Sequence, residues 1–496
     1  MKKGTIKSFI FLAYLLISTT ILYAVPANPD PIVITQPNGK TLTVFVRGDE
    51  RIHWYESMDG FTLLFNKARY LSYAQLDENG NLQPTDYIAT DIEKRDIVIN
   101  SFLNTIEKGL FFSDLQVELK NKIWKIEDDA LNSPKGAQEL SGEYKTLCAF
   151  VQFPDKPMIK SLDDFEGLFN EEGYTLNGAS GSVRDYFKEV SYGKFGLTIT
   201  LCGIYDAPQN ETAFVDDARP LARWLAQQVA AEPDIDFRDY DNNGDGSVDG
   251  FHFIYAGYAQ NGVTIWPHKH EFSPAVVSNN TSISIYSCSN ELGTGTEMTT
   301  IGVICHEMTH ALGGILDYYD TNYATGGSFD GTGRWDLMAN GNYNGNPSGS
   351  RPAHPNMHVK VLLGWVTPIV LNSTTTITDM KNAAENPVAY RINSSTLNEY
   401  FLLENRQKLK FDSNIPGEGL LIYHVHAGVL AAGNCINCAH PQRMYPVAAN
   451  SKVQIPNSTP SSYGTISSVD TPFPGERVNK QEFTDFSTPA MLMALK

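Results

Sequence analysis

The stretch from Thr296 to Leu312 restricts the fold more than any other. Its apolar residues Met298, Ile301, Cys305, Met308 and Leu312 recur at three- and four-residue steps, and Gly313-Gly314 follows. That spacing predicts a helix over 296–312 with one face on a core, and the paired glycines are a natural terminator. His306 and His310 lie four apart on this helix, so they share a face and can bind one metal ion. Glu307 follows the first histidine and can reach a water at that ion without being a ligand, which makes it the candidate general base. The fold must therefore bury one side of this helix and open the other onto a cleft.

Two histidines and a glutamate at this spacing also arise by chance, so the surroundings matter. Gly313-Gly314 lets the chain turn sharply, and Asp317 and Asp320 return towards the histidines from beyond the turn. A third ligand from there would leave the fourth tetrahedral position to water, the pattern of a catalytic zinc site. Further on, Trp335-Asp336-Leu337-Met338-Ala339-Asn340-Gly341 offers a methionine in a tight turn, placed to support the site from below.

The 496 residues are too many for one core and imply about three domains. The net charge of −18 argues against nucleic acid or an anionic membrane as the main partner. Lys2, Lys3 and Lys7 precede an apolar run from Phe9 to Leu22, with small residues at Ala24 and Ala27. This reads as a signal peptide over 1–24, too short for a membrane span. The expected location is thus exported: secreted, periplasmic or cell-surface. No later segment is apolar enough to cross a bilayer. Six cysteines are present, none before Cys148. They are too few for a disulfide scaffold in a chain this long. Cys435-Ile436-Asn437-Cys438 has redox-motif spacing but no strand–helix setting, so a local disulfide is expected there.

Residues 25–138 read as a separate unit of short strands such as Leu42–Val46, with turns at Asn38-Gly39, Asp59-Gly60 and Asn79-Gly80. The polar stretch 120–139 reads as an exposed linker and processing site. A strand is expected over Thr146–Phe153, helices over Ser182–Val190 and Arg219–Ala231, and a strand over Phe251–Tyr258. Beyond Trp365 the pattern turns to strands, including Tyr400–Leu403 and Leu420–His424.

Together these stretches resemble the immune-inhibitor-A-type (thuringilysin-like) metallopeptidases, a branch close to the metzincins. The residues matching that family's motif are His306, Glu307, His310, Gly313 and Met338. Ile265-Trp266-Pro267-His268, Leu363-Gly364-Trp365, the stretches 399–406 and 419–424, and His53-Trp54-Tyr55 with Asp59-Gly60 are similar to it as well. The family spacing would put the third ligand at Leu316, which cannot bind zinc. This chain has one residue more, which assigns the role to Asp317, with Asp320 in reserve. The resemblance implies that the N-terminal unit is an inhibitory propeptide. Its lack of cysteine excludes latency through a thiolate on the metal, leaving a carboxylate or steric cover.

Other constellations point less sharply. Asp241, Asn243, Asp245, Ser247 and Asp249 put oxygens at alternate positions around Gly246, the opening of a calcium loop, but the closing glutamate of an EF-hand is replaced by His252. His268 with His270, and His424 with His426, are two apart and would each share a strand face. Without a third ligand such pairs are more often structural. Cys305 and the Glu404/Arg406 pair are read as structural too.

The expected architecture is α+β: a propeptide-like domain (25–138), a zincin- or metzincin-like catalytic domain (139–370) and a β-rich, sandwich-like C-terminal domain (371–496). The expected function is zinc-dependent cleavage of internal peptide bonds, with Zn2+ catalytic, Ca2+ structural, and proteins or peptides as substrates. Two rivals are a calcium-dependent binding or adhesion module on a degenerate peptidase scaffold, and a zinc amidase or esterase acting on non-protein substrates.

Overall fold

The computed structural model describes residues 23–123, 137–259, 264–293, 295–322, 327–396, 398–426 and 435–489. The expected leader lies outside the described residues except for Tyr23 and Ala24, which form strand β1 (Tyr23–Ala24). The 124–136 part of the expected linker lies outside them as well.

The first unit is an antiparallel meander. Its strands are β2 (Ile32–Thr35), β3 (Thr41–Gly48), β4 (His53–Ser57), β5 (Thr62–Phe65), β6 (Leu71–Leu76) and β7 (Leu82–Ile88), paired in that order. The Asn-Gly and Asp-Gly turns fall where the sequence predicts, between β2 and β3, β4 and β5, and β6 and β7. Along β3, Leu42, Val44 and Val46 are buried and alternate with more exposed residues, the period-two pattern of a sheet packed on one face. Helices α1 (Ile97–Leu103) and α2 (Asp114–Ile123) follow.

The central unit comprises β8 (Gly142–Gln152), α3 (Leu162–Asn170), α4 (Val183–Val190), β9 (Phe195–Asp206), α5 (Arg219–Val229), β10 (His252–Tyr258), β11 (His268–Ser278), β12 (Thr281–Leu292), α6 (Ile301–Gly313) and α7 (Met357–Leu362). Its sheet runs β1-β11-β12-β10-β8-β9. The pairs β8–β9, β8–β10 and β10–β12 are parallel, whereas β11 is antiparallel to both β12 and β1. β8 shows why helices cover both faces. Cys148 and Phe150 enter a core with α3, α4 and α6, while Leu147, Ala149 and Val151 enter a second core with α5. A strand buried on both sides reads as a continuous apolar run, as this one does.

Helix α6 starts at Ile301, five residues later than its apolar spacing predicts. The preceding residues pair back onto the end of β12: Leu292 bridges Met298, and the Thr299 N–H donates to the Glu291 carbonyl at 2.9 Å. Thr300 is extended, and tertiary pairing overrides local propensity. At the far end Gly314 adopts the left-handed conformation, φ +61°, and its N–H caps the His310 carbonyl. Glycine takes that conformation without a Cβ clash.

Beyond Trp365 come β13 (Ile369–Val370), β14 (Tyr390–Asn393), β15 (Glu399–Arg406), β16 (Gly419–His426) and β17 (Met444–Pro446), one five-stranded sheet in that order. A sandwich was expected, but among the described residues this region forms no second sheet. Its residues Leu402, Leu421 and Tyr423, on one face, instead share one core with Tyr186, Ile304 and Trp365 of the central unit. Buried Arg406 joins the two regions: it pairs with Glu404 and with Asp412 at 2.6 Å, and Asp412 accepts the His354 N–H at 2.9 Å. The architecture is therefore mixed α/β with several sheets.

Helix α6 crosses the loop after Met338 very closely. A Cβ on Gly302 would stand 1.9 Å from the Asn342 carbonyl oxygen. Overpacking of this kind costs about 1–3 kcal/mol. Gly302→Ala should lower the unfolding midpoint in denaturant by a corresponding amount; an unchanged midpoint would show that this contact is loose.

Candidate metal centre

The first two candidate ligands come from one helix face. His306 and His310, both buried on α6, present their Nε2 atoms 3.0 Å apart. Each ring is held from behind: His306 Nδ1 faces the Leu337 carbonyl at 2.7 Å, and His310 Nδ1 faces the Ile315 carbonyl at 2.6 Å. A carbonyl oxygen only accepts, so both Nδ1 atoms carry the proton and both Nε2 atoms present lone pairs. Past the Gly314 bend, Asp317 brings Oδ1 to 3.2 Å from His306 Nε2 and 3.3 Å from His310 Nε2.

Three electron-pair donors thus converge on one point. Zinc bonds of about 2.0 Å in a tetrahedron place ligand atoms about 3.3 Å apart, close to the separations here. The donor set fits a divalent ion and leaves a position for water. Burial pushes the Asp317 carboxyl upwards, but positive charge placed among the imidazoles of His310 and His306 outweighs it and holds it at about 2. Burial likewise lowers His310, against the pull of Asp317.

Met338 belongs to the core on which α6 packs. It is fully buried, its N–H donates to Asp336 Oδ1 and its carbonyl accepts the Tyr318 N–H at 2.8 Å. The turn that carries Met338 therefore fixes the residue next to Asp317, while the neighbouring Leu337 orients His306. Asp320 does not join the histidines. It lies instead beside the sulfurs of Cys435 and Cys438, with one oxygen within 4.8 Å of both. Those cysteines form the expected disulfide.

Glu307 is fully buried, and its carboxyl is held well above the usual range by burial and then by Asp317 and Glu50. Its Oε1 accepts the Val25 N–H at 3.0 Å, and its Oε2 has no partner among the described residues. The N-terminal segment crosses the site here. β1 pairs antiparallel with β11, the Trp266 indole N–H donates to the Val25 carbonyl at 3.1 Å, and the Tyr343 hydroxyl donates to the Pro26 carbonyl at 2.6 Å. A cavity of about 300 Å3 opens beside this segment, lined by Val25, Trp266, Met298, Val303 and Tyr343 among others. The β3–β4 turn brings Asp49, Glu50 and Arg51 to the other side, where Arg51 pairs with Asp49 at 2.7 Å and donates to the Thr321 carbonyl.

The sequence reading assigned no role to Glu50, Arg51 or Tyr343, which lie far from the helix in sequence and in no motif. Trp266 stood inside a family-like stretch without a role. The remaining candidates make contacts of their own. In the 241–249 loop, Asp241 accepts the Asp245 and Gly246 amides, Asp245 accepts the Ser247 amide, and Asp249 accepts the Asn242 amide and the Asn243 side chain. Among the described residues its aspartates form no triplet with one oxygen each within 4.8 Å of the others, so the geometry adds nothing to the calcium expectation. His268 is fixed by the Trp266 carbonyl and the Tyr286 hydroxyl. His424 and His426 flank Glu399 at 3.4 and 3.3 Å. Cys305 is core.

Residues 161–363 match the family model of the immune inhibitor A peptidase M6 catalytic domain. The chain is also 26% identical over 330 residues to the pre-pro-metalloprotease PrtV of Vibrio cholerae serotype O1, in strain M66-2 and in strain ATCC 39315 / El Tor Inaba N16961. The aligned stretch covers 53% of this chain and 35% of each relative, so the chain spans about a third of the length of these curated relatives. Among the described residues no helix is long and apolar enough to cross a membrane.

Removing Asp317 should cost more metal affinity than the roughly 10–100-fold typical of outer-shell changes. Removing Asp320 should leave affinity unchanged. Metal content after dialysis of Asp317→Asn and Asp320→Asn distinguishes the two; equal losses would contradict the ligand assignment.

Proposed function

We propose that this chain, whose residues 161–363 belong to the immune inhibitor A peptidase family, is an exported, zinc-dependent endopeptidase made as a precursor. The observation that carries the reading is the convergence of His306, His310 and Asp317 beside the buried carboxylate of Glu307. A zinc ion in such a donor set supplies Lewis acidity to a scissile carbonyl and makes a water acidic near neutral pH. His306 and His310 bind through Nε2, their tautomers fixed by backbone carbonyls, and Asp317 completes the set. Glu307 takes the proton of the attacking water and returns it to the departing amine. Met338 holds Tyr318 and so the approach of Asp317.

Cleavage within a chain, and not only at its ends, needs a cleft that takes an extended backbone. The pairing of β1 with β11 supports this, because it shows an edge strand beside α6 accepting an extended peptide. The same contacts support latency. With Val25 on Glu307 and the β3–β4 turn against the segment 317–321, the N-terminal unit covers the site. The relatives are named pre-pro-metalloproteases, which supports a removable leader and pro-unit here too, with release in the polar stretch 120–139. The proposed organisation is a leader over 1–24, a pro-unit over 25–138, a zincin-like peptidase unit over 139–370 and the β-rich remainder.

Glu307→Ala should fold and keep its metal, yet lose about 10²–10⁴-fold of its casein-cleaving rate. Chelation should abolish wild-type activity and zinc should restore it. Wild-type rates in the variant, or activity indifferent to chelator, would refute the reading. N-terminal sequencing of the active form should begin within or after 120–139; activity of the uncleaved chain would refute latency.

A further inference from the structure

The Cys435-Ile436-Asn437-Cys438 loop has no part in the chemistry above, yet it touches the ligand-bearing segment at two places. Asn437 is fully buried and every polar atom of its side chain is used. Its Nδ2 donates to the Tyr318 carbonyl and to the Met444 carbonyl, both at 2.7 Å. Its Oδ1 accepts the Arg443 and Met444 amides, both at 3.1 Å. The side chain therefore ties β17 of the third sheet to the residue after Asp317. Tyr318 is held on its other sides too: its N–H donates to the Met338 carbonyl, and its carbonyl also accepts the Thr332 N–H at 3.1 Å. Three residues on, the Thr321 hydroxyl rests on both sulfurs, 3.0 Å from Cys435 and 3.3 Å from Cys438.

We infer that Asn437, held in place by the Cys435–Cys438 disulfide, is a positioning residue for the third metal ligand. The inference rests on the metal-site reading above. Asp317 stands on an irregular segment past a glycine bend, where no helix or strand fixes its backbone. A ligand on such a segment holds an ion well only if the neighbouring peptide is immobilised, and outer-shell partners that orient ligands are worth about 10–100-fold in metal affinity. Asn437 contributes one of the three hydrogen bonds that lock the Tyr318 peptide. The disulfide closes the turn that presents it, and both of its cysteines are partly exposed residues. Reduction should therefore loosen the metal without touching a ligand.

The test uses the full-length zinc-loaded protein and follows zinc release to a chromogenic chelator. Asn437→Asp keeps the acceptor side but loses both donors, and should release zinc about tenfold faster. Wild-type protein reduced with a phosphine and then alkylated should do the same, which keeps the inference testable if the variant fails to fold. Asn405→Ala loses a comparable bond to the Met380 carbonyl elsewhere in the third sheet, and should lower the melting temperature while leaving zinc release unchanged. Equal release from wild-type, reduced and Asn437→Asp proteins overturns the inference alone. So does faster release from Asn405→Ala, because the effect would then be general loosening. Wild-type protein that retains no zinc overturns the metal reading, and this inference with it.

Discussion

Three lone-pair donors within 3.3 Å of one another in a buried place repel unless a cation sits among them. The histidines cannot relieve this by sharing a proton outwards, because each has already committed its Nδ1 hydrogen to a backbone carbonyl. Glu307 and Glu50 add two more buried carboxyl groups nearby, and the cation paired at this edge is Arg51. An uncompensated buried charge costs several kcal/mol, so the arrangement makes physical sense around a divalent ion. The rest of the structure can be understood as what is needed to hold these groups together.

Each donor is held by a different device. Helix α6 fixes the histidine spacing, and both cores of the central sheet fix α6's surroundings. The left-handed Gly314 turns the chain back, and the Met338 turn and the 435–438 loop grip the segment that follows. These contacts draw on the helix, the loop after it and the third sheet together. The continuous core between central and C-terminal regions follows from that need, since a separately folded C-terminal domain would give Asp317 no rigid backing. The first sheet contributes nothing to the ligand set. The N-terminal contacts closest to the donors run from Val25, just past β1, to Glu307 and from Arg51, in the β3–β4 turn, to Thr321.

Local signals made much of this legible. The spacing of His306 and His310, the glycine pair, the alternation in β3 and the buried run in β8 each report a period or a bend that the backbone must adopt. The bend brought both Asp317 and Asp320 within reach of the helix, and the choice of Asp317 came from the family resemblance and its one-residue offset. What stayed hidden depends on pairing between distant residues. The late start of α6 follows from Met298 bridging Leu292, which no helical period reveals. The missing second C-terminal sheet follows from its inner face packing on the central unit. Glu50, Trp266 and Tyr343 come to the cleft from three separate places in the chain, and Asn437 looked like filler between two cysteines. In the 241–249 loop the ligand-like oxygens also accept the amides of their own turn, which leaves the calcium expectation as the sequence set it.

The atoms that surround the metal decide whether His306, His310 and Asp317 hold it. X-ray absorption at the zinc edge of the zinc-loaded protein addresses this directly. It should show a shell of nitrogen and oxygen at about 2.0–2.1 Å, with the outer scattering of two imidazoles and no sulfur. A shell containing sulfur would move the ion to Cys435 and Cys438, and six oxygens without imidazole would move it off α6 altogether; either result would contradict the central claim.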